Sequence, residues 1–243
     1  MSVSDANELY RKNQLLAALP TEEYHRLLTH LEIVSLSRRQ ILHEINEPIT
    51  YVYFPTQALA SMVSLMEDGA TIEVGVVGKD GMVGLPICWG GNSATTQAIV
   101  QIPGEALRMT ADRLKAEFDR HEALYRLILL YTQNLFTQVA QTAACNRRHN
   151  VEQRLARWLL SIEDRVPGEQ LLLTQEFIAQ MLGIRRSGVT VAATALQQAG
   201  TIRYSRGKIA IVDREKLRSA ACECYNVVKN ESDRLMRLMD DGT

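Results

Sequence analysis

Cysteine is scarce in this chain of 243 residues: Cys88, Cys145, Cys222 and Cys224 are the only four. They are too few and too scattered for a disulfide framework, and no C-x2-C pair is followed by a second one. Cys222 and Cys224 fall in a segment that reads as helix, where positions two apart face different directions, so both are expected as small buried side chains. The five histidines, His25, His30, His43, His121 and His149, form no spaced ligand set. No metal site and no cofactor follow from these residues. Long apolar runs are also missing, since stretches such as 127–130 and 171–173 fall far short of the roughly 18 residues that a membrane span needs. The opening MSVSDANELY lacks a basic-then-apolar signal pattern, and the expected location is cytoplasmic with no membrane partner.

Net charge is nearly absent too, at a formal −1, but its distribution is uneven. Residues 1–146 carry 11 Lys and Arg against 16 Asp and Glu, whereas residues 147–218 carry 13 against 7. A basic segment inside an acidic chain is what phosphate binding requires, because Lys and Arg displace the counterions of nucleic acid. With 46% apolar and 23% charged residues, the chain can bury two small cores.

What is present falls into three textures. Leu15, Leu16 and Leu19, then Pro20-Thr21-Glu22-Glu23 ahead of Tyr24, Leu27 and Leu28, read as two short opening helices. From about Glu32 to Met109 the chain is short segments of Val, Ile, Tyr and Thr broken by turns, a β-sandwich or β-roll pattern. Its clearest hairpin runs from Ser61 to Met66, turns at Glu67-Asp68-Gly69, and returns from Thr71 to Val77. Residues 122–148 contain neither glycine nor proline and space Leu124, Ile128, Tyr131, Leu135, Gln138, Thr142 and Cys145 by alternating fours and threes. That seam predicts a helix of about 40 Å packed on another helix, with dimerisation as the first reading and burial within one domain as the second.

Beyond residue 148 the signals sharpen. Asn150 caps a helix bearing Leu155, Trp158, Leu159 and Ile162, Pro167-Gly168 stops it, and 170–173 reads as a short strand. Thr174 caps a helix that ends at Gly183, and a second helix runs from about Arg186 to Ala199 and stops at Gly200. Two helices joined by a short glycine turn are the helix-turn-helix plan, and Ala179, Ala192 and Ala193 permit their close approach. The second helix exposes Arg185, Arg186, Ser187 and Thr190 near its start, the end that enters a major groove in this motif. A hairpin with the basic tip Ser205-Arg206-Gly207-Lys208 follows as a wing for the flanking phosphates. The candidate DNA-binding set is Thr174, Gln175, Arg185, Arg186, Ser187, Gly188, Thr190, Arg206 and Lys208.

In this order the elements resemble the Crp/Fnr family of bacterial transcription regulators. The strongest stretch is Leu173-Thr-Gln-Glu-Phe-Ile-Ala-Gln-Met-Leu-Gly183 followed by Ile-Arg-Arg-Ser-Gly-Val-Thr190, and Asp80-Gly-Met-Val-Gly-Leu85 is a weaker match. The resemblance implies an α+β chain: N-terminal helices and a cyclic-nucleotide-binding-like β-roll over 1–121, a dimerisation helix over 122–148, and a winged helix-turn-helix with a C-terminal helix over 149–243. It further implies a homodimer, a roughly palindromic site on double-stranded DNA, and RNA polymerase as a partner. Family members read DNA with an Arg-Glu pair and a later Arg; here Arg186 keeps the first position, Ser187 replaces the acid and Val191 the second basic residue. The effector positions become Gly81-Met82 and Ala94-Thr95, without the acid for ribose or the arginine for a cyclic phosphate, so cyclic AMP and cyclic GMP are not expected ligands. Iron–sulfur and haem versions of the family lack their ligands as well. A cupin-like enzyme would need a His/Glu metal set, but neighbours His43 and Glu44 face opposite sides of a strand, and no enzyme is expected. A winged domain that binds RNA or protein remains the alternative.

Overall fold

The computed structural model describes residues 11–166 and 170–240, so the helix stop read at Pro167 and Gly168 lies outside the described residues. Helices α1 (Gln14–Ala17) and α2 (Thr21–Leu28) come first among the described residues and bury Leu15, Leu16, Tyr24 and Leu27. Strands β1 (Glu32–Leu36), β2 (Ile41–His43), β3 (Tyr51–Pro55), β4 (Leu59–Leu65), β5 (Thr71–Val77), β6 (Gln97–Ile102) and β7 (Gly104–Thr110) make the β-roll. They form two antiparallel sheets, ordered β1-β7-β3 and β2-β6-β4-β5. Leu36, Tyr53, Ala60, Val77, Val100 and Ala106, drawn from both sheets, share one buried cluster. The hairpin expected at 61–77 is β4 and β5, closed with Leu65 opposite Thr71 and with Gly69 at φ +82°, where a side chain would be strained.

Helix α3 (Ala111–Phe118) leads into α4 (Ala123–Arg148), the long helix. Nothing on its own N-cap residue satisfies the first turn; instead Glu23 of α2 accepts from the amides of Ala123 and Leu124, both at 3.0 Å. A carboxylate at that end also opposes the positive pole of the helix dipole.

The face of α4 differs from the dimer seam read in the sequence. Leu124, Ile128, Tyr131, Leu135, Gln138 and Thr142 are all buried within the same chain. Leu124, Ile128, Tyr131 and Leu135 join the core of α1, α2, β3 and β7, the Tyr131 hydroxyl donates to the Met82 carbonyl at 3.0 Å, and Gln138 bonds the amide and carbonyl of Val76. A four-three apolar stripe specifies burial but not the owner of the covering surface, and here the chain's own β-roll covers it.

Beyond α4 a new helix begins at Val151. Asn150 accepts from Gln153 N while the Gln153 side chain accepts from Asn150 N, a complete capping box for α5 (Val151–Glu163). Strand β8 (Gln170–Leu172), α6 (Gln175–Leu182), α7 (Arg186–Gln198), β9 (Ile202–Ser205), β10 (Lys208–Ile211), α8 (Arg214–Ala220) and α9 (Cys224–Asp240) follow, with sheet order β8-β10-β9. Helix α9 runs back along α4.

The two domains meet on β5. Glu73 is buried there, accepts from Trp158 Nε1 of α5 at 2.7 Å, and lies near Arg157 and Arg165. Ser61 Oγ is 2.7 Å from Glu73 Oε2 and 2.8 Å from Gln101 Oε1. Burial pushes the Glu73 carboxyl up to about 7, against the bonds donated by Ser61 and Trp158 that lower it. A folded-state value above the unfolded one means that the native state holds this proton longer. Stability is therefore expected to fall as pH rises from about 4.5 to about 7, by about 3 kcal/mol from this group. Glu73→Gln should flatten that slope in urea titrations at pH 5 and pH 7.5; an unchanged slope would contradict a buried proton.

Candidate nucleic-acid interface

Helix α6 begins at Thr174, whose hydroxyl accepts from Phe177 N at 3.2 Å, and ends at Gly183, left-handed at φ +61°. The chain reverses there and enters α7 at Arg185. Val189, Ala192, Ala193 and Leu196 bury one side of α7 against Phe177, Ile178 and Met181. Arg185, Arg186, Ser187, Thr190 and Val191 stand exposed on the other side. No side chain caps this helix and its first turn holds no acid. Its leading end is thus a positive pole flanked by two arginines, a surface suited to phosphate and to acceptor groups on base edges.

The remaining predicted residues are brought to the same end of the domain. Gln175 Oε1 accepts from the Thr190 hydroxyl at 3.0 Å, joining the first turn of α6 to α7. Gly188 donates its amide to the Arg185 carbonyl at 2.9 Å, and a side chain there would meet Ile184 only at ordinary contact distance. The wing is a two-residue hairpin whose turn residues, Arg206 at φ +51° and Gly207 at φ +76°, both have positive φ, the type I′ pattern. Arg206 and Lys208 are exposed at its tip, and Arg203 on β9, absent from the predicted set, is exposed beside them. Alternation along β9 was the available signal, since buried Ile202 leaves Arg203 on the outer face.

The effector positions divide. Met82, Ala94 and Thr95 line a cavity of about 460 Å³ together with His43, Met62, Leu85, Trp89 and Leu135. Gly81 does not line it. A Cβ at Gly81 would stand 2.4 Å from the Tyr131 ring, so that glycine serves the contact with α4 rather than a ligand. Among the described residues no arginine, lysine or carboxylate lines the cavity. Its one titratable side chain, His43, is shifted below the usual imidazole range by burial.

Cys222 and Cys224 are buried as expected, but their grouping was not foreseen. Cys145, His149, Cys222 and Cys224 come together, with all four potential donor atoms within 4.8 Å of one another. Cys222 precedes α9 instead of lying in it, so Cys222 and Cys224 do not have the divergent directions of one helix. Cys88 lies apart, buried in the β-roll core.

This architecture, a β-roll joined through a long helix to a winged helix-turn-helix, defines a class of DNA-binding regulators. Residues 33–121 match the cyclic nucleotide-binding domain model, and residues 153–220 match the Crp-like helix-turn-helix domain model. Together with the fold, the two matches in this order show that the chain belongs to the Crp/Fnr family of transcription regulators. No curated protein matches the sequence. Among solved structures, FixK2 from Bradyrhizobium japonicum superposes with a TM-score of 0.68 at 18% identity, covering 79% of this chain and 98% of that one. The c-di-GMP-responsive global regulator CLP from Xanthomonas campestris gives 0.64 at 16%, covering 79% and 99%. A transcriptional regulator assigned to the Crp/Fnr family from Eubacterium rectale gives 0.61 at 22%, covering 85% and 96%. Among the described residues no helix is long and apolar enough to cross a membrane.

Proposed function

We propose that the protein is a cytoplasmic, non-enzymatic regulator that binds a roughly palindromic DNA site as a homodimer and answers to a signal other than cyclic AMP or cyclic GMP. The observation that carries this reading is the uncapped, exposed start of α7 with Arg185, Arg186 and Ser187, set beside the basic wing tip. Arg186 reads a base edge, Arg185, Arg206 and Lys208 take phosphates, and RNA polymerase is the partner through which binding alters transcription.

The dimer forms through the opposite face of α4 from the one expected. Leu129, Gln133, Phe136, Ala140 and Ala143 are exposed and follow the same alternating spacing, with Phe136 73% accessible. A second copy of α4 is the partner that such a straight stripe fits, and it sets two recognition helices one DNA turn apart, about 34 Å. The cavity favours an apolar effector over a nucleotide, since an anionic phosphate would find no cation in its wall.

Selection of bound fragments from random duplex DNA should return an inverted repeat with half-site centres about 10 base pairs apart. Affinity for that site should fall steeply with salt and stay unchanged when cyclic AMP is added. Failure to enrich any duplex, with RNA bound instead, would replace this reading with the RNA-binding one.

A further inference from the structure

We infer that Cys145, His149, Cys222 and Cys224 form a Cys3His site for one zinc ion that clamps the neck of the DNA-binding domain. Cys145 and His149 are four residues apart at the end of α4, on one helical face, and the His149 amide donates to the Cys145 carbonyl. Cys222 and Cys224 arrive from the other side, at the entry to α9. Cys145 Sγ and Cys222 Sγ are 3.5 Å apart, as are Cys224 Sγ and His149 Nδ1.

These two separations are close to those of a tetrahedral site. Around zinc, with Zn–S of about 2.3 Å and Zn–N of about 2.0 Å, neighbouring sulfurs stand about 3.8 Å apart and a sulfur and nitrogen about 3.5 Å. Even a pair at the 4.8 Å limit closes with about 1 Å of side-chain movement. Three thiolates and an imidazole suit a thiophilic cation and disfavour magnesium or calcium. Four protein donors leave no open position, so the site is structural and not catalytic.

The surroundings are also those of a metal centre. If His149 Nδ1 binds the ion, its Nε2 is free to donate to Glu223 Oε2, 3.2 Å away, the usual carboxylate behind a ligating histidine. Gln141 Nε2 donates to Cys224 Sγ at 3.1 Å. Three thiolates around Zn²⁺ leave one negative charge, and the buried guanidinium groups of Arg154 and Arg157 on α5 both act on Cys145. Arg154 also donates to the Leu182 carbonyl, at the turn of the helix-turn-helix. Cys145 and Cys222 are 77 residues apart in sequence, and the stretch between them includes α6, α7 and the wing. The ion would close that loop at its base.

The protein, purified in zinc-containing buffer without chelator, should hold one equivalent of zinc by elemental mass spectrometry. Cys88→Ser should keep the full equivalent, and Cys222→Ser/Cys224→Ser should lose it. Glu223→Ala should weaken binding about 10- to 100-fold in competition with a chromogenic chelator. Replacement of zinc by cobalt(II) should give the visible bands of a tetrahedral thiolate site. His149→Cys supplies the conservative test, independent of any unfolding in the cysteine variants: it should retain the metal with four sulfurs. A folded wild type without metal after zinc addition overturns the proposal, as does a Cys145–Cys222 disulfide in its place or full zinc in the double serine variant. DNA selection depends on α7, so loss of this site would leave the DNA-binding reading standing.

Discussion

Arg186→Ala is expected to remove sequence preference while leaving a folded dimer. A forked arginine contact on a base edge is worth about 1–3 kcal/mol of discrimination, or about tenfold towards the lower end of that range. A palindrome counts the loss twice, so affinity for the selected site should fall about a hundredfold, with a much smaller change on random DNA. The control is Lys208→Ala, which takes away a phosphate contact. It should weaken all duplexes alike and lower the salt slope by about 1 per half-site. Gel-shift titrations of both variants on specific and random duplexes at several salt concentrations separate the two roles. Equal losses on both duplexes for Arg186→Ala would reduce that residue to a phosphate contact and move base reading elsewhere on α7.

The second large effect concerns assembly. Phe136→Glu, at a position 73% accessible in the single chain, should leave the fold intact and convert the dimer to monomer in sedimentation velocity. Burying one Phe or Leu is worth about 1.5–3 kcal/mol, and a two-fold axis uses Leu129 and Phe136 twice, so a facing pair of carboxylates should dominate the balance. Leu135→Glu, one residue away and 5% accessible, should instead unfold the domain, with loss of cooperative thermal unfolding. The two adjacent variants therefore distinguish a face turned to a second copy from one turned to the β-roll. A dimer that survives Phe136→Glu would put the interface off α4.

Much of the DNA-binding end was legible because its determinants are local. Thr174, Gly183 and Asn150 cap and stop helices through bonds that span three or four residues, and the Arg206-Gly207 tip sets its own turn. The β4-β5 hairpin was readable for the same reason. The face of α4 was not, because periodicity records that Leu124, Ile128, Tyr131 and Leu135 are covered but carries no mark of whose atoms cover them. Gly81 likewise reads as a ligand loop until Tyr131, fifty residues on, is found lying against it. The cysteine and histidine cluster is illegible for a related reason. Its halves are separated by an entire folded domain, and only packing of α9 along α4 unites them.

Strand β5 bears a load that its seven residues do not advertise. Ile72 lies under Gly183 at the bend of the reading head, Glu73 holds Trp158, and Gly75 and Val76 lie against Gln138 on the long helix. In a tightly filled interior such neighbours have no slack to absorb a displacement. A ligand that shifted this strand along its own axis would tug on the spine and on the DNA-facing head in the same stroke, with no relay of intermediate parts.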